Sequence, residues 1–178
     1  MKTILNIPFI QQKKSNSCWI ACARMLFNFF FDTDISDAVI EAIMGAEGNV
    51  EGNPIIALEE MATIEVEEFT YPVVIPKYSV IKTNIENNRP FICCVKSERT
   101  DTVNYNVSGG HWILIVGFEC DNAGEFQYLY VADPACDEVR YISYDPQVYW
   151  GQDRAGNPIE MYWQNSSIIK FDQAALKN

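Results

Sequence analysis

The chain contains a single histidine, His111, and six cysteines. Imidazole is the usual general base for a thiol or hydroxyl nucleophile, so any Cys–His or Ser–His catalysis in this chain must use His111. Cys18 lies where a polar segment, residues 11–17, meets a strongly apolar run. If that run is a helix, its N-terminus would stabilise a thiolate at Cys18 through partial positive charge and free N–H groups. These features favour a cysteine nucleophile, and the alternative is a packed structural cysteine.

Gln12 lies six positions before Cys18, in the polar segment that leads into the predicted helix. A side-chain amide there can donate a hydrogen bond to the oxyanion that forms when a thiolate attacks a carbonyl, with the backbone N–H of Cys18 as the second donor. The neighbouring Gln11 could do the same with a one-residue shift. For either glutamine, the alternative is a solvated loop residue.

His111 follows two glycines and opens a strongly apolar strand pattern, and Asp133 closes the next strand pattern just before a proline. A turn beginning at residue 122 would join the two strands as an antiparallel hairpin. A hairpin centred on residue 122 places positions 111 and 133 side by side. Asp133 could then accept a hydrogen bond from one ring nitrogen of His111 and fix its tautomer. The alternatives are a surface histidine at a strand end and an Asp-Pro turn residue.

The hydrophobic pattern predicts the elements that must place these residues. Apolar residues on most faces from Cys18 onward predict a central, buried helix of about twelve to fourteen residues. Further helices are predicted at residues 37–44, 53–63 and 79–87. Extended or strand-like runs lie at residues 3–10, 65–71, 91–95, 111–118, 126–132, 139–144 and 167–171. Residues 97–110 are predicted to form a polar loop, and residues 149–163 a long, aromatic, irregular segment.

A chain in which the predicted helices come first and the predicted antiparallel strands come second is typical of an α+β fold. We expect an N-terminal helical half that contains the buried catalytic helix, and a C-terminal antiparallel β-sheet half. The length of 178 residues fits one domain, residues 1–178, with the helical half at about 1–90 and the sheet half at about 91–178. Hydrophobic residues make up 48% of the chain, which indicates a packed core and not a disordered chain.

Charge and composition exclude several classes of function. The net charge of −11 repels phosphate backbones, so we expect no nucleic-acid partner. No apolar run reaches the roughly 18 residues of a membrane span, and no signal peptide is visible. The compartment stays open, with the cytoplasm and export by a non-classical route as the two expectations. With one histidine and no Cys-x-x-Cys pair, we expect no metal or other cofactor. We expect a monomer, and disulfides stay open for Cys22, Cys93, Cys94, Cys120 and Cys136.

Together these residues resemble the active-site segments of papain-like cysteine peptidases. The resemblance rests on Gln12 with five residues before Cys18-Trp19, on Gly110-His111-Trp112 ahead of an apolar strand, and on Asp133-Pro134 after the next strand. The Asp-Pro form, the short chain and the pattern of residues 79–91 are closer to a bacterial branch. That branch includes double-glycine leader peptidases, staphopain-like enzymes and plant-pathogen effector proteases. The resemblance spans residue 10 to about residue 145.

The resemblance implies a papain-like fold and hydrolysis of a peptide or protein substrate through a thioester acyl-enzyme, without a cofactor. Cys18 would attack, and His111 would act first as base and then as acid. Asp133 would hold the imidazole, and Gln12 would build the oxyanion hole. Two alternatives stay open. The same triad could carry acyl transfer or glutamine deamidation, or the chain could be an inactive binding module that uses residues 149–163 as its contact surface.

Overall fold

A computed structural model describes residues 1–46, 49–69, 75, 77–96, 110–124, 126–152 and 158–176. Over these ranges the chain forms four helices and one sheet in which every strand pairing is antiparallel. The predicted mixture of helices with an antiparallel sheet is therefore confirmed. The polar loop predicted at residues 97–110 lies outside the described residues except for Gly110. No helix among the described residues has the length and apolar character that crossing a membrane requires.

The helices lie in the first half of the chain: α1 (Cys18–Phe31), α2 (Asp37–Ile43), α3 (Pro54–Met61) and α4 (Tyr78–Glu86). The apolar side chains of the first half of α1 are buried on nearly every face, so this helix runs through the core. α3 starts as the sequence predicts, because Asn53 accepts a hydrogen bond from the N–H of Ile55 and Pro54 follows it. It ends before the predicted residue 63, because Ala62 is extended and begins a strand.

The strands come from both halves of the chain: β1 (Lys2–Ile4), β2 (Ala62–Phe69), β3 (Phe91–Lys96), β4 (His111–Cys120), β5 (Phe126–Ala132), β6 (Arg140–Ser143), β7 (Val148–Gln152) and β8 (Pro158–Leu176). Their order in the sheet is β2-β8-β3-β4-β5-β6, with β1 paired to β4 and β7 paired to β8. β1 and β2 belong to the predicted helical half but join the same sheet as the later strands. α1 contacts both β4 and β8, so the helix packs against the middle of this sheet.

The segment 149–163 is predicted to be irregular, but its described residues, 149–152 and 158–163, belong to the paired strands β7 and β8. Tyr149 of β7 lies opposite Met161 of β8. β8 then continues into the main sheet, so it extends far beyond the strand predicted at residues 167–171. Gly151 and Pro158 are residues that usually interrupt strands, which explains the wrong prediction. Here Pro158 is the first residue of its strand, where the missing N–H is tolerated.

β4 and β5 form the predicted hairpin, but with a different register. Ala132 pairs with Leu114, whereas a hairpin centred on residue 122 would pair it with position 112. The turn lies one residue further along the chain than predicted, since Cys120 pairs with Phe126. Gly124 in this turn has a φ of 83°, a left-handed conformation that glycine adopts without strain. The predicted register is therefore wrong by two residues. Positions 111 and 133 are not directly opposite each other, so any contact between His111 and Asp133 must be made by their side chains.

Candidate active site

Cys18 is the first residue of α1, and only 6% of it is exposed. Ser17 occupies the N-cap position without capping the first-turn N–H groups. Its hydroxyl is used within the preceding loop, where it accepts a hydrogen bond from the N–H of Lys14 at 3.0 Å. The N–H groups of the first turn are therefore left without a side-chain cap, and the positive end of the helix dipole acts on the Cys18 thiol.

His111 and Asp133 lie at the same end of two paired strands. His111 is the first residue of β4, and Asp133 directly follows β5. Nε2 of His111 lies 2.6 Å from Oδ1 of Asp133. The side chain of Asp133 is 2% exposed, whereas that of His111 is 19% exposed. The carboxylate is thus enclosed while the imidazole keeps an edge open to solvent, as a proton-transfer group requires.

The Cys18 side chain lies close enough to the His111 imidazole to contribute, after Asp133, to the rise in its pKa. Because Nε2 is bonded to Asp133, Nδ1 is the ring nitrogen that remains for the thiol. Burial lowers the pKa of His111, but the hydrogen bond to Asp133, the nearby Cys18 side chain and the charges of both groups outweigh it. Together they raise the pKa to about 10. The imidazole therefore holds a proton at neutral pH and can share it with either neighbour.

Three donors surround the carboxylate of Asp133. Oδ1 accepts from His111 and from the backbone N–H of Ala135 at 2.9 Å, and Oδ2 accepts from the hydroxyl of Tyr149. Burial raises the pKa of Asp133, but these hydrogen bonds and the positive charge of His111 outweigh burial, so the pKa lies below its ordinary value. The group is an anion at neutral pH, and it can both orient the imidazole and stabilise its protonated form.

Gln12 is attached to the rest of the site through its backbone. Its N–H donates to the carbonyl of Pro134 at 2.9 Å, which joins the loop before Cys18 to the turn after Asp133. Its Nε2 donates to the carbonyls of Lys14 at 3.1 Å and Ser15 at 3.2 Å. Its Oε1 is buried without a hydrogen-bond partner among the described residues. The amide is therefore directed toward its own loop, while Gln11 is exposed.

A segment formed by residues 49–53 borders the site, and the sequence reasoning did not find it. The indole of Trp19, which follows Cys18, donates to the carbonyl of Val50 at 3.0 Å. The indole of Trp112, which follows His111, donates to the carbonyl of Gly52 at 3.2 Å. The signal that could have found this segment is the tryptophan directly after each candidate catalytic residue.

The same segment is also tied to the loop that precedes Cys18. Oδ1 of Asn49 accepts from the N–H of Asn16 at 2.7 Å, and Nδ2 of Asn49 donates to Oγ of Ser15 at 2.6 Å. Lys13 and Lys14 of that loop also form salt bridges with acidic residues of α2. These contacts hold the loop before Cys18 in a defined position next to the 49–53 segment.

The other cysteines differ from Cys18 in their surroundings. All six are free thiols and buried. Burial raises the pKa of Cys22, Cys93 and Cys136, and it raises the pKa of Cys94 to about 12. These four thiols therefore stay protonated at neutral pH and are poor nucleophiles. Among the described residues, no group of histidine, cysteine or acidic side chains is arranged to hold a metal ion.

A comparison with known protein families gives a match to the model of the Peptidase_C39 like family over residues 4–157. This chain belongs to the Peptidase_C39 like family. Membership of the Peptidase_C39 like family makes it a cysteine-type peptidase, which is a hydrolase, so the predicted enzyme class is confirmed. The predicted kinship with double-glycine peptidases is confirmed at the level of the family.

Two solved structures share the fold of this Peptidase_C39 like chain. One is a double glycine motif protease from an AMS/PCAT transporter in complex with the leader peptide; it is 15% identical, covers 96% of this chain and 95% of its own, and has a TM-score of 0.53. The other is the peptidase domain of Streptococcus ComA, a bi-functional ABC transporter involved in a quorum sensing pathway. It is 13% identical, covers 94% of this chain and 100% of its own, and has a TM-score of 0.55. No curated protein matches the chain.

Proposed function

We propose that this protein hydrolyses peptide bonds through a thioester formed on Cys18, with His111 as the proton-transfer group and Asp133 as its orienting carboxylate. The observation that carries the proposal is the position of the His111 ring, whose Nε2 is bonded to Asp133 while the Cys18 side chain contributes to its raised pKa. A nucleophile, a base and a group that orients the base are the parts that nucleophilic catalysis of acyl transfer needs.

In the first step the Cys18 thiolate attacks the carbonyl carbon of the scissile bond. A carbon–sulfur bond forms, and the carbonyl electron pair moves onto oxygen to give an oxyanion. His111 then gives its proton to the leaving nitrogen as the carbon–nitrogen bond breaks, which releases the amine and leaves a thioester. The raised pKa of His111 supports this order, because the imidazole holds that proton before substrate binds.

In the second step water hydrolyses the thioester. His111, now neutral, takes a proton from the water as the water oxygen attacks the thioester carbon. The carbon–sulfur bond breaks, the carboxylic acid product leaves, and the thiolate and the protonated imidazole are restored. Throughout the cycle Asp133 keeps Nε2 of His111 bonded, so that Nδ1 stays directed at the sulfur.

We assign the oxyanion hole to the backbone N–H of Cys18 and the side-chain amide of Gln12. As the first residue of α1, Cys18 has an N–H without an intrahelical acceptor. Gln12 becomes the second donor by exchanging one of its bonds to the loop carbonyls for a bond to the oxyanion. Lys14 and Ser15 are exposed, so water can replace the amide at their carbonyls. Removing one such donor typically costs about a hundredfold in kcat or more.

A peptide or protein chain is the substrate class that fits best. One structural neighbour binds a leader peptide, and we extend peptide binding, but not that particular peptide, to this chain. The 49–53 segment supports this assignment, because the indoles of the residues that follow Cys18 and His111 hold it beside the site. No feature of the described residues favours an amine as the acyl acceptor or a glutamine side chain as the acyl donor.

A digest of a degenerate peptide library, read by mass spectrometry, tests the proposed function. The wild-type protein should produce new peptide termini, and the masses of the fragments reveal its side-chain preference. Glutamine deamidation would instead raise the mass of intact peptides by about one dalton, and acyl transfer to an added amine would attach that amine. All three reactions can pass through a thioester, so only their products distinguish them. The digest identifies those products by mass.

Two variants connect the reaction to the proposed residues. Cys18→Ala and His111→Ala should each abolish cleavage while their circular dichroism spectra match that of the wild type. Lys82→Ala, which changes a half-buried residue of α4 whose salt-bridge partner among the described residues is Glu86 at 4.0 Å, is the matched control and should cleave normally. Cleavage that survives in either active-site variant would reject the mechanism.

A further inference from the structure

Tyr149 is a buried tyrosine whose hydroxyl is in contact with the candidate active site. It lies on β7, opposite Met161 of β8, and none of its surface is exposed. Its hydroxyl donates a hydrogen bond to Oδ2 of Asp133, the carboxylate oxygen that neither His111 nor Ala135 uses. Tyr149, from the β7–β8 hairpin, is thus the third hydrogen-bond donor to the Asp133 carboxylate.

The hairpin gives this hydroxyl a fixed position. The ring of Tyr149 packs against Trp163, with ring centroids 5.4 Å apart. The indole of Trp163 donates to the carbonyl of Asp145 at 3.1 Å, and the carboxylate of Asp145 accepts from the N–H groups of Gln147 and Val148. The turn before β7, the Tyr149 ring and the Trp163 indole are therefore connected by packing and hydrogen bonds. These contacts fix the Tyr149 hydroxyl next to Asp133.

We propose that Tyr149 is a positioning residue, which holds the Asp133 carboxylate in the orientation that keeps His111 directed at Cys18. The inference rests on the proposed function of the Cys18–His111 pair. A carboxylate with only one oxygen anchored could rotate about its terminal bond, and the second anchor at Oδ2 prevents this. Tyr149 does not touch the reacting atoms and acts only through Asp133.

Electrostatics give this role a measurable signature. The hydrogen bond from Tyr149 is one of the interactions that hold the pKa of Asp133 below its ordinary value. Loss of the hydroxyl should therefore raise the pH at which Asp133 takes up a proton. The other ionisable groups in electrostatic contact with Asp133 are Cys22 of α1, His111 of β4 and Cys136, and Arg140 of β6 acts on Tyr149 itself.

The test is an NMR titration of the histidine in Tyr149→Phe, which keeps the ring and removes only the hydroxyl. The chain has a single histidine, so labelled histidine gives one set of signals that belongs to His111. In acid the His111 signals respond when Asp133 is protonated. The midpoint should move to higher pH by about one unit, a tenfold change in proton affinity, as expected for a lost hydrogen bond to a charged group. In parallel kcat should fall roughly tenfold, with KM almost unchanged.

Tyr130→Phe is the matched control. Tyr130 of β5 also donates to a carboxylate, Oε2 of Glu119 at 2.6 Å. Glu119 lies near the opposite end of β4 from His111. This variant should leave both the titration and kcat as in the wild type. If Tyr149→Phe also gives the wild-type titration, the proposal is overturned, since the hydroxyl then has no effect on Asp133.

A second variant covers the case in which Tyr149→Phe does not fold. Site-specific 3-fluorotyrosine at position 149 keeps the ring and the hydroxyl but makes the phenol a stronger donor. It should move the acid midpoint to lower pH, and an unchanged midpoint would overturn the proposal. The titration does not depend on peptide cleavage. A wild-type protein that cleaves no peptide would reject the proposed function, whereas an unchanged titration in an active enzyme would reject only the role of Tyr149.

Discussion

Nε2 of His111 lies 2.6 Å from Oδ1 of Asp133, and the two residues are brought together by neighbouring antiparallel strands. The partner of His111 is an anion that is almost completely enclosed, since the side chain of Asp133 is 2% exposed. In such surroundings a charge interaction is stronger than in water, so the proton on His111 is held firmly. This relationship determines the expected pH behaviour of the site.

The ionisation of His111 itself is the first prediction. NMR of labelled histidine in the wild-type protein should show the imidazole still protonated at pH 8, because its pKa is raised to about 10. In Asp133→Asn the charge that favours the imidazolium is lost while the burial remains. The pKa should therefore fall toward or below its ordinary value of 6.5.

Asp121→Asn is the control for this titration, because it removes the same charge from the turn at the far end of the hairpin. It should leave the titration of His111 as in the wild type. A wild-type protein whose histidine titrates near pH 6.5 would show that Asp133 does not stabilise the charged imidazole.

The pH dependence of peptide cleavage is the second prediction. The pKa of His111 is raised, so its proton is present through the neutral range and is lost only as the pH rises through about 10. The pKa of Asp133 is lowered, so its anion persists below the ordinary value of 3.8. The profile of kcat/KM for a fluorogenic peptide should therefore stay high through mildly alkaline pH and decline near 10. A decline centred near pH 7 would contradict this assignment.

The third prediction concerns the contact between Gly52 and Trp19. A Cβ at position 52 would lie 2.5 Å from Cε2 of the Trp19 indole, which is 1% exposed and bonded to the carbonyl of Val50. Because the indole has no room to move, Gly52→Ala should lower the free energy of unfolding by about 1–3 kcal/mol in a urea titration. Cleavage should also weaken, since Trp19 directly follows Cys18.

Gly45→Ala provides the comparison, because a Cβ there meets nothing within 4 Å and only the left-handed backbone (φ 58°) opposes it. That conformation costs a non-glycine residue roughly 1–2 kcal/mol. Gly45→Ala should therefore destabilise the protein without weakening cleavage. A Gly52→Ala variant with the wild-type free energy of unfolding would show that the close packing of the 49–53 segment against Trp19 has no energetic consequence.

Local patterns in the sequence predicted much of this fold. A continuous apolar run after a polar loop predicted a helix beginning at Cys18, and the structure has α1 begin there. Asn53 followed by Pro54 predicted the start of α3 through its capping chemistry. The strand ends at His111 and Ala132 were predicted because apolar runs stop at a polar residue. In each case the decisive information lies within a few neighbouring residues.

Long-range relationships could not be predicted in the same way. The partner of Tyr149, Asp133, is 16 positions away, and Tyr149 itself lies on a hairpin whose Gly151 and Pro158 conceal the strands. The hydrogen bonds of Trp19 with Val50 and of Trp112 with Gly52 join segments 31 and 60 residues apart. The direction of the Gln12 amide depends on the local loop conformation, which residue types do not determine. Such features follow from tertiary packing, which one sequence does not reveal.

The central claim is that His111 activates Cys18 as the nucleophile, and the rate of thiol alkylation tests it most directly. Wild-type protein and His111→Ala are treated with iodoacetamide near neutral pH, and labelling of each cysteine is followed by peptide mapping. In the wild type Cys18 should react much faster than the other five cysteines, and in His111→Ala this advantage should disappear while circular dichroism shows the same fold. Equal labelling of Cys18 and the other thiols in the wild type, or an unchanged rate at Cys18 in His111→Ala, would contradict the claim.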